Sequence, residues 1–108
     1  MFQNIDSNTL ETMRDQRDIT LIDVRTDAEV ARGIIAGARH IPLFSLPQHS
    51  ASLADAGSIV IYCQSGGRSA QACSYLAQQG IADLYNLAGG ILAWVRDGKT
   101  LAEGPVNS

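Results

Sequence analysis

Residues 58–80, SIVIYCQSGGRSAQACSYLAQQG, constrain the fold more than any other stretch of the chain. Ile59-Val60-Ile61-Tyr62 is an apolar run that reads as a buried strand over 58–62. Cys63 follows, then a small-residue loop, Gln64-Ser65-Gly66-Gly67, then Arg68 and Ser69. A helical pattern continues from about residue 68 to 79 and stops at Gly80. The cysteine therefore stands at the joint of a strand, a tight loop and a helix. Loop amides and a helix N-terminus both direct partial positive charge at such a position. That setting lowers a thiol pKa from about 8.5 to roughly 7 or below, which makes Cys63 the candidate nucleophile. Gly66 and Gly67 let the backbone turn tightly and come close to a bound atom. Arg68 adds a permanent positive charge, and Ser69 is placed to cap the helix or to donate to the loop. An exposed, readily oxidised thiolate is expected at Cys63. Cys73, beside Leu76 and Ala77 on the apolar side of the helix, reads instead as a core thiol.

The flanking chain alternates helices and strands. Asp6, Ser7 and Asn8 can cap a first helix over about 7–15. Residues 20–24 read as a short buried strand, and Thr26-Asp27-Ala28-Glu29 has the capping-box spacing that starts a short helix ended by Gly33. Residues 38–41 predict a short strand stopped by Pro42. Pro47 is expected to interrupt residues 43–56, leaving one or two helical turns. A strand over 84–87 precedes Gly89-Gly90, which opens a last helix over 91–97. Trp94 faces the core, and residues 99–108 read as a loose tail of one domain spanning 1–108. This alternation predicts a largely parallel sheet covered by helices on both faces. Binding crevices of such sheets lie beyond the carboxyl ends of the strands, where Asp23, Arg25 and Cys63 all fall. Asp23 and Arg25 are expected to support the site through internal ion pairs, with Glu29 a candidate partner for Arg25.

The 108 residues carry a formal net charge of -3, which argues against nucleic acid or an anionic membrane as a partner. No apolar run approaches the ~20 residues that span a bilayer, and the first 20 residues lack a secretory pattern. Two cysteines make no disulfide framework, so a reducing cytoplasm is the expected compartment. His40 and His49 have no metal-ligand spacing with each other or with either cysteine, so neither metal nor cofactor is expected. Gly98-Lys99-Thr100 is not a phosphate loop, because Ala93 stands where that motif needs glycine.

Several motifs together resemble the single-domain rhodaneses, the thiosulfate sulfurtransferase family. They are Leu21-Ile22-Asp23-Val24-Arg25 with Glu29, Gly33-Ile34-Ile35-Ala36-Gly37-Ala38 leading to Ile41-Pro42, the loop from Ile61 to Ser69, and Leu87-Ala88-Gly89-Gly90-Ile91 with Trp94. The resemblance implies a three-layer α/β/α domain with a largely parallel five-stranded central sheet. It also implies a mechanism. Cys63 would take the sulfane sulfur of a small anionic donor such as thiosulfate, hold it as a persulfide and pass it to cyanide or a thiol. Loop residues Gln64, Ser65, Gly66, Gly67, Arg68 and Ser69 would bind the donor. Two departures stand out. The second motif lacks the family's usual histidine and proline. Gln64 and Ser65 occupy positions where some strong thiosulfate users carry basic residues, so thiosulfate is expected to be a poor or surrogate donor. Three other readings remain: a sulfur-relay carrier with protein partners, a non-enzymatic binding module, and a cysteine phosphatase or arsenate reductase of the same fold. Phosphatase loops are one residue longer between cysteine and arginine, and the shorter loop here suits a single sulfur atom.

Overall fold

The computed structural model describes residues 1–104. Its elements run β1 (Phe2–Ile5), α1 (Ser7–Gln16), β2 (Ile19–Asp23), α2 (Asp27–Val30), β3 (Arg39–His40), a 3-10 turn (Leu43–Ser45), α3 (Leu46–Leu53), β4 (Ser58–Tyr62), α4 (Gly67–Gln78), β5 (Leu84–Leu87) and α5 (Gly90–Arg96). All five strands are parallel, in the order β1-β5-β4-β2-β3.

The central strand β4 explains the layering. All five of its residues are buried, and its side chains alternate between the two faces. Ile59 and Ile61 join Leu46, Leu53, Ala72, Cys73 and Leu76 under α3 and α4. Val60 and Tyr62 join Leu10, Met13, Ile91 and Trp94 under α1 and α5. Right-handed crossovers require this division. The chain moves one way along the sheet from β1 to β2 and the other way from β3 through β4 to β5, so α1 and α4 lie on opposite faces. The connections leaving β2 and β4 also run in opposite directions, which opens a crevice between the carboxyl ends of these neighbours.

Local signals account for most boundaries. The Asp6 side chain accepts a hydrogen bond from the Thr9 amide and caps α1. Thr26 and Glu29 form the complete capping box at the start of α2. Two expectations need correction, and one strand was not foreseen. Pro47 does not interrupt a helix; it lies in the first turn of α3, where its missing N–H costs nothing. The strand β1 has no counterpart in the sequence reading, because three of its four residues point to solvent or to the rim. Residues 99–104 are anchored over the part that is described. Ile34 and Ala102 form an antiparallel bridge, Trp94 Nε1 donates to the Thr100 carbonyl at 2.8 Å, and Gly104 packs on the Val30 backbone with no room for a side chain. The rest of the expected loose tail, residues 105–108, lies outside the described residues.

Candidate active site

Cys63 follows β4 directly, at the floor of the crevice. It is a free thiol, only 1% exposed, which corrects the expectation of an exposed one. The Gly66 amide donates to Sγ at 3.1 Å, and the Ser69 hydroxyl stands 3.4 Å away. Burial pushes the thiol pKa up. The Ser69 hydroxyl and the amides of Ser69, Gly66 and Ser65 push it down and prevail, so the pKa lies below the ordinary thiol value. Cys73 has burial without donors, and its pKa is pushed up to about 12.

The Ser65 amide faces the sulfur while the other side of its peptide, the Gln64 carbonyl, is held from behind. The first amides of α5 take the loop carbonyls: Ile91 N donates to Cys63 O at 3.0 Å and Leu92 N to Gln64 O at 3.1 Å. This close approach requires Gly90. Its φ is +58°, and a Cβ there would lie 2.6 Å from the Cys63 carbonyl oxygen. Gly66, at φ +110°, provides the left-handed turn into α4. Ser69 therefore lies three residues into the helix rather than at its cap, and its hydroxyl also reaches Gly66 O at 3.2 Å.

Behind Ser69 is a residue that the sequence reading passed over. Asn86 on β5 is buried, accepts from Ser69 Oγ at 2.5 Å, and donates to Asn4 Oδ1 at 3.0 Å and Gly66 O at 3.3 Å. A polar residue inside the apolar run Leu84–Leu87 was the signal for it.

Two arginines frame the mouth. Arg25 is buried against Asp23, with Nη2 2.8 Å from Oδ2, and it donates a second bond to the Gly33 carbonyl at 2.7 Å. Burial works against the Arg25 charge, but the Asp23 carboxylate outweighs it and holds the guanidinium pKa above its usual value. Arg68 makes a two-pronged pair with Glu29, at 2.7 and 2.9 Å. That pair, helped by Thr26 and opposed by burial, holds the Glu29 carboxyl down at about 2. Glu29 thus pairs with Arg68 and not with Arg25, as the sequence had suggested. Gln64, Ser65 and Gly67 lie on the exposed rim. Beside Arg68, which also lines it, is a recess of about 290 Å³ with a mostly apolar surface, formed by Val24, Arg25, Thr26, Pro42, Leu43 and Phe44.

The structure brings Asp23, Arg25 and the loop from Cys63 to Ser69 to one end of the sheet. The histidines lie apart from the sulfur's donors: His40 Nε2 donates to the Arg25 carbonyl at 2.7 Å, and His49 Nδ1 bonds to the Ser45 carbonyl in the 3-10 turn before α3. Among the described residues no group of three or more His, Cys, Asp or Glu side chains is placed to hold a metal ion. Nor is any helix among them long and apolar enough to cross a membrane.

A thiol held by backbone amides at the carboxyl end of the central strand of a parallel sheet defines a class of cysteine-dependent α/β domains. The chain belongs to the rhodanese-like domain family, whose model matches residues 6–97. It is 44% identical over 99 residues to a sulfurtransferase of Allochromatium vinosum, covering 91% of this chain and 92% of that one. It is 31% identical over 93 residues to the thiosulfate sulfurtransferase GlpE of Stutzerimonas stutzeri, covering 86% of this chain and 84% of the relative. The crystal structure of a rhodanese-like domain protein from Staphylococcus aureus superposes with a TM-score of 0.83 at 32% identity, covering 95% and 99% of the two chains. Sulfurtransferase activity, in general terms, is what these relationships support.

Proposed function

We propose that the domain moves sulfane sulfur from a donor such as thiosulfate to a thiophilic acceptor through a persulfide on Cys63. The observation that carries this reading is the buried Sγ held by the Gly66 amide and facing Ser69 Oγ, with a thiol pKa lowered despite burial. The Cys63 thiolate attacks the outer sulfur of thiosulfate. A Cys63 S–S bond forms, the donor's S–S bond breaks, and the electron pair leaves on sulfite. Cyanide or a thiol then attacks the outer sulfur and the Cys63 thiolate is restored, a two-step covalent cycle. Fixed amides stabilise the negative sulfur without rearranging. The acceptor in the cell is a thiol or a sulfur-relay protein, in a reducing cytoplasm that suits two free cysteines. The phosphatase reading is disfavoured by the short loop and by Arg68, whose guanidinium faces Glu29.

Intact mass after incubation with thiosulfate tests the proposal. The protein should gain one sulfur atom, Cys63→Ser should gain none, and cyanide should remove the adduct as thiocyanate. Absence of an adduct with every sulfane donor tried would leave the binding-module reading in its place.

A further inference from the structure

The two arginines that frame the mouth of the Cys63 pocket are each matched by a carboxylate. Arg25 is committed to buried Asp23. Arg68 is committed to Glu29, which is fixed in turn by the Thr26 amide at 3.0 Å and the Thr26 hydroxyl at 3.1 Å. Glu29 cannot swing away without giving up the capping box of α2. The charge that a dianion would seek is therefore cancelled, and among the described residues the backbone amides and the Ser69 hydroxyl are left to receive an anionic sulfur. The recess next to Arg68 is mostly apolar, and the Phe44 ring beside it is 85% exposed. Thiosulfate has no apolar part to place there.

We propose that Glu29 determines donor specificity: by holding Arg68 it keeps the mouth electrically balanced, which disfavours dianionic donors and favours organic sulfane carriers of lower charge, of the thiol persulfide class, whose organic group occupies the recess at Val24, Pro42, Leu43 and Phe44. This rests on the sulfur-transfer reading above. In the loading step the Cys63 thiolate attacks the outer sulfur of the organic persulfide. The Cys63 S–S bond forms, the donor's S–S bond breaks, and the electron pair leaves on the organic thiolate. Any proton on the transferred sulfur travels with it.

Three stable probes separate charge from shape: thiosulfate is a dianion, methanethiosulfonate a small monoanion, and benzenethiosulfonate a monoanion with a ring. Each gives up its outer sulfur to a thiolate and releases sulfite or a sulfinate. Glu29→Gln keeps the side-chain shape and removes one negative charge. Loading should speed up about tenfold in kcat/KM for thiosulfate and about threefold for methanethiosulfonate, since a dianion feels twice the change. The ratio between the two then shifts about threefold, and any change at Cys63 common to both donors cancels in it. Phe44→Ala should lower the benzene-to-methane ratio about fivefold through lost apolar burial. In the unmodified protein, thiosulfate loading should depend only weakly on ionic strength, because the mouth carries no net positive charge. This last measurement decides the charge argument even if Glu29→Gln does not fold. Unchanged ratios in both variants, or a thiosulfate rate that falls steeply with salt, would overturn the proposal. Failure of every probe to load Cys63 would instead remove the sulfur-transfer reading itself.

Discussion

Ser69 has one hydroxyl proton and three acceptors: Asn86 Oδ1 at 2.5 Å, Gly66 O at 3.2 Å and Cys63 Sγ at 3.4 Å. The proton can rest on Asn86 while Cys63 is a thiol and turn to the sulfur when it ionises. A charge-assisted bond of this kind contributes ~1.5–3 kcal/mol, which corresponds to about one pH unit or more. Ser69→Ala should therefore move the midpoint of Cys63 alkylation up by about one unit, read as iodoacetamide rate against pH. Cys73 should stay unreactive in the folded protein until far higher pH, given its pKa of about 12. Equal alkylation rates for the two cysteines would contradict the assignment. The position of Cys63 at the joint of strand, loop and helix was legible from the loop sequence. Its burial and the Asn86 support were not, because both depend on β5 and α5 arriving from elsewhere in the chain.

At the level of elements, the loop is shaped by what lies outside it. The amides that open α5 hold two loop carbonyls and so fix which way the loop's N–H groups point. Gly90→Ala should cost about 2–4 kcal/mol and slow persulfide formation, because it adds left-handed strain to a backbone clash. Gly80→Ala makes the control. Its φ is also positive, at +85°, but a Cβ there meets nothing within 4 Å, so urea unfolding should show a loss of only ~1–2 kcal/mol with loading unaffected. The strands β4 and β5 were readable to the residue, since apolar runs bounded by turn signals define buried parallel strands. The strand β1 was not, because an edge strand with a single buried residue leaves no pattern. The Arg25–Glu29 expectation failed for a geometric reason. Helix α2 begins only at Asp27, so Arg25 is not on a helical turn with Glu29 and folds back on Asp23.

Across the whole molecule, the Glu29–Arg68 pair ties the segment after β2 to the helix after β4. The Glu29 carboxyl titrates at about 2 in the folded protein, below its ordinary 4.5. A depressed carboxylate contributes stability above its unfolded pKa and loses it as pH falls toward the folded value. Glu29→Gln should therefore be less stable than the parent at neutral pH, and the gap should close between about pH 4.5 and 2. Urea midpoints across that window would show it, and a gap that stays constant would mean the pair contributes nothing through charge. Alternating strands and helices made the architecture readable from the sequence, whereas this long-range pairing required the fold. The burial of Cys63 bears on communication between proteins. In the proposed cycle the outer sulfur of a persulfide stands about 2 Å beyond Sγ. In that cycle an empty domain would keep its sulfur covered and a loaded one would extend it toward the exposed rim of the loop, so a proposed client would tell the two apart by touch alone.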